Sequence, residues 1–162
     1  MRRVEALKPR VSFADLQRMP EDGNRYELYD GELRVVPSLL PRHEIVRGRI
    51  HEALIDYRRQ WGGLVCSAPF DLVLSEFDVV QPDLIYFGPV SATRINLDEH
   101  VRFPPDLAVE VISPSTARFD RGHKRDLLAR YALPELWIAD PRRRRLECSV
   151  LLNSRYPEPA IV

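Results

Sequence analysis

The segment DLAVEVI, residues 106–112, decides the class of fold. It is a short, nearly continuous apolar run that one acid, Glu110, interrupts. Runs of this kind are typical of strands at the centre of a sheet that is covered on both faces. Because side chains alternate along a strand, Glu110 lies on the face opposite Leu107 and Val109. The segment therefore predicts a central strand with a semi-buried carboxylate, which needs a partner or a cation.

The flanking segments predict a mixed sheet with helices packed against it. An Asp-Gly pair at 30–31 separates two alternating segments, which indicates a hairpin. Residues 41–61 carry apolar side chains, among them Tyr57 and Trp61, at helical spacing. The predicted strands are at about 25–29, 32–36, 64–74, 79–88, 106–112, 135–140 and 145–152, and the helices are at about 13–19, 41–61 and 121–132. We expect an α/β (α+β) fold, with a central mixed β-sheet flanked by helices, in a single domain over 1–162. The tail YPEPAIV shows no clear element, so it is either flexible or paired with a partner chain.

Composition excludes several classes of protein. The 162 residues are 44% hydrophobic and 30% charged, the balance of a globular chain with a sizeable core. No apolar run approaches the ~18 residues of a membrane span, and the N-terminus MRRVEALKPRVSF has no apolar stretch of signal-peptide length. Two cysteines form neither a disulfide scaffold nor a zinc set. We therefore expect a cytoplasmic protein with no membrane partner.

The charged residues are balanced in number but uneven in type. A formal net charge of zero argues against a uniformly basic coat, although it leaves a local basic groove open. Of 24 basic residues, only Lys8 and Lys124 are lysine. Since the chain otherwise uses arginine, position 124 either requires a compact ammonium or holds a lysine by chance.

Several acids stand in apolar strand contexts, where an unpaired carboxylate is costly. They are Asp71, Asp83, Glu110 and a hairpin acid, Glu27 or Glu32. Asp83 follows Pro82, which cannot donate to a sheet ladder and so marks an edge or a distortion of its strand. A distorted strand beside an acid is a common way to open a site. Taken alone, Glu110 fits a functional site and a structural ion pair equally well, whereas Asp83 is more simply explained by a hydrogen bond to a turn.

Lys124 lies on the predicted helix that follows the Glu110 strand. Its spacing from Leu127 and Leu128 places it on the stripe that faces the sheet. A lysine on such a stripe usually extends its ammonium to solvent. Because the connector is short, the first turn of the helix can lie near the end of the strand, and we expect Lys124 to pair with Glu110.

Together Asp83, Glu110 and Lys124 predict a metal-dependent phosphodiesterase. Carboxylate oxygens suit Mg²⁺, which binds through one or two carboxylates and keeps several waters. Such a cation activates water and stabilises charge on a phosphodiester, and a lysine can orient the water or neutralise that charge. The sequence offers no His/Cys cluster for zinc, no glycine-rich phosphate loop and no nucleophile elbow.

The segments YELYDGEL, VVQPDLIYF, DLAVEVISPST and RFDRGHKRDLLARYALPELWIADP stand in this order in the chain. They resemble the Uma-type family of bacterial restriction-endonuclease-like proteins, also catalogued as a domain of unknown function, in the PD-(D/E)XK superfamily. The resemblance covers about residues 13–152. It implies a restriction-endonuclease-like fold and an endonuclease that uses Mg²⁺ (or Mn²⁺) on nucleic acid, with DNA as the expected partner.

The resemblance also implies roles for individual residues. Asp83 matches the aspartate of the Pro-Asp element and Glu110 the second acid, and these two are the implied metal ligands. The usual lysine two residues after the second acid is replaced by Ile112, and Lys124 matches the lysine of this family. Three further positions, Glu27, Glu32 and His43, correspond to residues of the family. The resemblance implies that Glu32 is an extra metal ligand and that His43 contacts phosphate or acts as a base.

Two other functions stay open at this point. A non-catalytic nucleic-acid-binding module with a decayed site is compatible with the neutral charge and the displaced lysine. A homo-oligomeric assembly protein, such as a homodimer, is compatible with exposed aromatic residues in the tail or in the loop predicted at 89–104.

Overall fold

The computed structural model describes residues 9–162, so the basic N-terminal segment up to Lys8 lies outside the described residues. The helices are α1 Phe13–Leu16, α2 Pro41–Trp61, α3 Pro89–Ala92, α4 Ala117–Phe119 and α5 Arg125–Arg130, with a π-helical turn, Asp120–Lys124, between α4 and α5. The strands are β1 Arg25–Tyr29, β2 Glu32–Val36, β3 Leu64–Ser67, β4 Leu72–Val73, β5 Val79–Val80, β6 Leu84–Phe87, β7 Leu107–Val111, β8 Glu135–Asp140, β9 Arg145–Val150 and β10 Ala160–Ile161. None of the described helices is long and apolar enough to cross a membrane.

The strands form two sheets. Six strands make the larger sheet in the order β10-β9-β8-β7-β6-β3, and four make the smaller in the order β2-β1-β5-β4. β7 and β8 run parallel, whereas the other neighbours in both sheets run antiparallel. The predicted mixed sheet with helices packed against it is therefore confirmed. The sequence did not predict that the hairpin would belong to a second, separate sheet.

The two faces of the larger sheet enter different apolar layers. On one face, Leu84 packs against Leu54 of α2. On the other face, Ala108 packs in the same layer as Leu128 of α5. Burying a leucine side chain contributes roughly 1.5–3 kcal/mol, so both layers stabilise the central strands. Glu110 alternates with Val109 and thus shares the face of Ala108, toward the segment that connects α4 and α5.

Two predicted strands are each divided by a proline. The segment predicted at 64–74 stops at Ser67 and resumes at Leu72, with Pro69 between them. The segment predicted at 79–88 stops after Val80, because Pro82 cannot donate to a ladder. Its first half joins the smaller sheet and its second half the larger one. The predicted distortion at Pro82 is confirmed, and it places Asp83 where the chain crosses between the sheets.

The helix predicted at 121–132 is shorter and less regular than expected. The backbone N–H of Arg125 donates to the carbonyl of Asp120, an i to i+5 bond that marks a π turn. The helix ends at Arg130, and Ala132 adopts the left-handed region with φ 57°. Within the π turn Asp120 and Lys124 are both buried, at 8% and 4% exposure.

Predictions at the ends of elements were less accurate. The C-terminal tail forms β10, which pairs Ala160 with Cys148 and Ile161 with Glu147 of the same chain. The loop predicted at 89–104 contains the short helix α3. Tyr57 and Trp61 of α2, predicted on the packed stripe, are 50% and 58% exposed, although the ring of Tyr57 still contacts that of Tyr86 with centroids 5.5 Å apart.

Candidate active site

A pocket of about 320 Å³ lies where the two sheets meet. Four carboxyl side chains from four separate segments line it: Glu27 from β1, Asp83 from the crossing between sheets, Glu110 from β7 and Asp120 from the π turn. Lys124 brings an ammonium into the same lining. These five side chains belong to residues that are at most 8% exposed. The pocket therefore concentrates ionisable groups that a folded chain otherwise keeps at its surface.

Lys124 bridges the two sheets. Its Nζ lies 2.9 Å from Glu27 Oε1 and 2.7 Å from Glu110 Oε1, which confirms the predicted pairing with Glu110. The ammonium aligns as a hydrogen-bond donor only with Glu27, so Glu110 Oε1 is held by charge. Glu27 Oε1 also accepts the backbone N–H of Gln81 at 2.7 Å, and its Oε2 accepts the Tyr29 hydroxyl at 2.9 Å. Glu27 is thus fixed from three sides.

One buried ammonium faces a surplus of acids. Burial raises the pKa of Glu110 well above its usual range; Lys124 opposes this effect, while Asp83 adds to it. Burial also raises the pKa of Asp120, again against Lys124. Burial alone disfavours the charged form of Lys124, yet Glu110 and Glu27 outweigh it, and the pKa of Lys124 lies well above its usual value. The pocket thus keeps its lysine protonated and favours the uptake of a further positive charge.

Asp83 is oriented by donors on one of its oxygens. Asp83 Oδ2 accepts the backbone N–H of Val111 at 2.7 Å and lies 3.1 Å from His43 Nε2. The other ring nitrogen of His43 lies 3.3 Å from Glu44 Oε1. Burial lowers the pKa of His43, but Asp83 and then Glu44 outweigh that effect and raise it above its ordinary value. In this geometry His43 positions Asp83, and a contact with phosphate requires Nε2 to leave that carboxylate.

The donor set of the pocket fits a hard divalent cation. Asp83 Oδ1 and Glu110 Oε2 make no hydrogen bond or ion pair with any residue from 9 to 162. Over the same residues, no group of three or more His, Cys, Asp or Glu side chains is arranged to hold a metal. Mg²⁺ binds through one or two carboxylates and keeps several waters. The free oxygens of Asp83 and Glu110 are ligands of that type.

Other predicted positions lie outside the pocket. Glu32 is exposed and pairs in register with Tyr29 at the turn end of the hairpin, and it does not contribute to the pocket lining. Ile112, which stands at the position of the usual lysine, is 4% exposed in an apolar layer. Asp71 accepts the side-chain amide of Gln81 at 2.7 Å. The hairpin acid that enters the pocket is therefore Glu27.

Sequence reasoning missed two polar side chains of this site. Asp120 lies four residues before Lys124, a spacing that places both on one helical face, so the signal was present. Tyr29 lies two residues after Glu27, on the same face of β1. The backbone N–H of Gln81 had no comparable signal, because it reaches Glu27 only through the crossing between the sheets.

Comparisons with known proteins agree with this architecture. The model of the Uma2 family, described as "Putative restriction endonuclease", matches residues 13–161. A crystal structure described as a "putative nuclease belonging to DUF820", from Anabaena variabilis ATCC 29413, matches with a TM-score of 0.75 and 13% identity. The match covers 93% of this chain and 83% of that one, and at this identity it shows the fold alone. No curated protein matches the sequence.

The fold is thus restriction-endonuclease-like. The match to the family model supports a nuclease role without specifying metal or substrate. Because the family match begins at α1 and runs through β10, it includes both sheets and every carboxyl group of the pocket. The chain belongs to the Uma2 family.

Proposed function

We propose that this chain is a divalent-metal-dependent endonuclease that hydrolyses phosphodiester bonds in DNA. In this proposal Asp83 and Glu110 bind Mg²⁺ or Mn²⁺, and the ammonium of Lys124 is the third catalytic group. The observation that carries the proposal is the surplus of buried carboxyl groups around one ammonium in the pocket between the sheets. Family membership and fold support the broader nuclease role.

Each side chain has a part that follows from its contacts. When bound, the cation lowers the pKa of a coordinated water and neutralises charge on the phosphate oxygens. Lys124 keeps its proton, because Glu110 and Glu27 raise its pKa; it therefore orients the attacking water and stabilises developing charge instead of removing a proton. Glu27 holds the ammonium in place from β1. His43 and the N–H of Val111 fix Asp83, which keeps the second oxygen of that carboxylate available.

The test is cleavage of supercoiled plasmid DNA by the purified chain. We expect nicking with Mg²⁺ or Mn²⁺, none with EDTA, and a loss of at least about 100-fold in Asp83→Asn and Glu110→Gln. Glu52→Gln is the matched control, since Glu52 is an exposed acid on α2 outside the pocket. Cleavage that survives EDTA, or that Asp83→Asn leaves intact, contradicts the proposal.

A second candidate is a non-catalytic nucleic-acid-binding module. The observation that favours it is that Lys124 is already neutralised by Glu27 and Glu110, as in a purely structural ion-pair network. In that case DNA binding persists in EDTA, no metal yields cleavage, and Asp83→Asn changes nothing. Measuring both the cleavage and the binding of plasmid DNA, with metal and with EDTA, separates the two functions.

We further propose that the protein assembles as a homodimer. The support comes from exposed apolar side chains in the segment after β6, where Val90 and Leu97 are 81% and 88% exposed. Light scattering should give twice the chain mass of 18.8 kDa, and Leu97→Asp should shift the mass toward one chain. If the unmodified protein has the mass of one chain, the proposed homodimer is contradicted.

A further inference from the structure

Four arginines line the pocket or the cavity next to it, and none of them has a carboxylate partner among residues 9–162. Arg25 and Arg34, on the β1–β2 hairpin, line the pocket itself. Arg42, at the start of α2, and Arg142, in the turn between β8 and β9, line an adjoining cavity of about 560 Å³. Within the part of the chain that the structure describes, none of these four side chains forms an ion pair or a side-chain hydrogen bond. Four cations are therefore available around one opening.

Buried and half-buried arginines elsewhere in the fold do take acidic partners. Arg121 contacts Asp140 and Glu147 at 2.9 and 2.7 Å, and Arg145 contacts Glu147 at 2.6 Å. Exposed arginines without such partners also occur away from the pocket, for example Arg58 near the end of α2. Lack of a partner is thus not enough to identify a site, and the position and fixation of the four must carry the inference.

Arg34 is held in a defined orientation. Its guanidinium carbon lies 3.6 Å from the ring centroid of Phe119, which also lines the pocket. The ring of His123 stacks on Phe119 with centroids 5.2 Å apart. Arg34 pairs in register with Glu27 and so lies on the same hairpin face as that acid. A guanidinium stacked on an aromatic ring keeps its N–H edge free, which suits it to a phosphate.

The two cavities form one continuous opening. Both are lined by Leu40, His43, Ser113 and Pro114. The hairpin arginines therefore lie toward one end of the opening and Arg42 and Arg142 toward the other. The acidic floor between them repels a polyanion, so a phosphate chain that approaches it requires cations at the rim.

We infer that these arginines bind phosphates of a DNA backbone on either side of the cleavage site, Arg25 and Arg34 on one side and Arg42 and Arg142 on the other. The phosphate between them then lies over Asp83 and Glu110. This inference rests on the proposed function and adds the residues that hold its substrate. Contacts of this kind position a nucleic acid without reading its bases. The rim therefore binds DNA of any sequence, although the whole chain has no net charge.

The test is binding of a short fluorescein-labelled DNA of mixed sequence, as duplex and as single strand, to the full chain in EDTA. Fluorescence anisotropy over a salt series gives the slope of log Kd against log salt. Arg34→Ala and Arg142→Ala should each weaken binding and reduce the slope by about 0.9 for duplex or 0.7 for single-stranded DNA, and the double variant by about the sum. Arg34→Lys should keep the slope but weaken binding, because it keeps the charge and loses the stack on Phe119.

Arg58→Ala is the matched control, and thermal unfolding checks that each variant is folded. Arg34 and Arg142 are both exposed, so their loss should leave the fold intact. If both variants bind DNA as Arg58→Ala does while the unmodified chain cleaves DNA with Mg²⁺, the four arginines do not bind the phosphates and the endonuclease proposal stands. If the slopes fall as expected but no metal yields cleavage, the phosphate rim is supported and the endonuclease proposal fails. If the unmodified chain binds neither DNA in EDTA and no metal yields cleavage, both proposals are wrong.

Discussion

Lys124 Nζ lies 2.7 Å from Glu110 Oε1, although the two residues belong to a π-helical turn and to the strand that precedes it. The position two residues after Glu110 holds Ile112, which is buried in an apolar layer. The ammonium therefore reaches the second acid from the following helix instead of from the same strand. Glu27 holds it there from the opposite sheet, with 2.9 Å between Glu27 Oε1 and Lys124 Nζ.

Replacing Lys124 by methionine should abolish most of the activity. The change removes the donor beside Glu110, and we expect DNA cleavage to fall by about 10²–10³-fold. It also leaves Glu27 and Glu110 as uncompensated buried acids, at a cost of about 3 kcal/mol in the free energy of unfolding at neutral pH. Lys124→Arg should not restore cleavage, because a planar guanidinium does not fit the place of a compact ammonium. Single-turnover cleavage and urea denaturation measure both effects, and a stable, active Lys124→Met protein contradicts them.

Replacing His43 by alanine should weaken metal binding without removing a proposed ligand. His43 Nε2 lies 3.1 Å from Asp83 Oδ2 and orients that carboxylate. Loss of such a supporting contact typically lowers metal affinity by about 10–100-fold. Calorimetric titration with Mn²⁺ should show this loss in His43→Ala and a smaller one in His43→Gln, which retains an amide donor. Equal affinities in all three proteins would mean that His43 does not position Asp83.

Replacing Glu110 by glutamine should stabilise the metal-free protein. Burial raises the pKa of Glu110, so its ionised form at neutral pH opposes folding. A neutral amide removes that opposition, and the midpoint of thermal unfolding in EDTA should rise. Addition of Mg²⁺ should then stabilise the unmodified chain much more than the variant, because a cation that binds only the folded state shifts the equilibrium toward it. If the variant unfolds at a lower temperature in EDTA, or if Mg²⁺ raises its unfolding temperature as much as that of the unmodified chain, the buried carboxyl groups around Lys124 do not carry excess negative charge.

The ion-pair cluster beneath the β8–β9 turn should make stability depend on acid pH. The Arg121 hydrogen bonds lower the pKa of Glu147 below 4.5. At Asp140 burial raises the pKa, but Arg121 and the N–H groups of the turn outweigh it and hold it below 3.8. Both carboxyl groups thus stabilise the fold above their ordinary pKa values, and that contribution is lost as pH falls through the lowered ones. Urea denaturation should show a steeper decline below about pH 4.5 in the unmodified chain than in Arg121→Ala; parallel curves contradict this assignment.

Local patterns predicted the elements that frame the site. The Asp-Gly pair located the hairpin, and helical spacing located α2 with its bounds at 41 and 61. Pro82 located the break in the strand before Asp83, since the missing N–H is a local property. The buried side of Lys124 followed from its phase with Leu127 and Leu128, and the structure places all three in the interior.

The assembly of the site depends on pairings that no local pattern encodes. Glu27 and Lys124 are 97 residues apart, and their contact exists because β5 pairs with β1 while β6 pairs with β7. The choice of Glu27 over Glu32 follows from strand order, because β1 pairs with β5 in the interior of the smaller sheet while β2, which carries Glu32, is its edge strand. The π turn at Asp120 adds a residue to a helical repeat, and spacing alone does not reveal it. The single domain and the cytoplasmic location stay predictions.

The most direct measurement is a crystal structure of the chain soaked in Mn²⁺, with anomalous scattering to locate the ion. We predict one strong peak in the pocket between the sheets, about 2.1 Å from oxygens of both Asp83 and Glu110, with Lys124 still in contact with Glu27. The peak should disappear in Asp83→Asn crystals that are treated in the same way. A saturated soak with no ion in the pocket, or an ion that contacts neither carboxylate, would contradict the assignment of Asp83 and Glu110 as metal ligands.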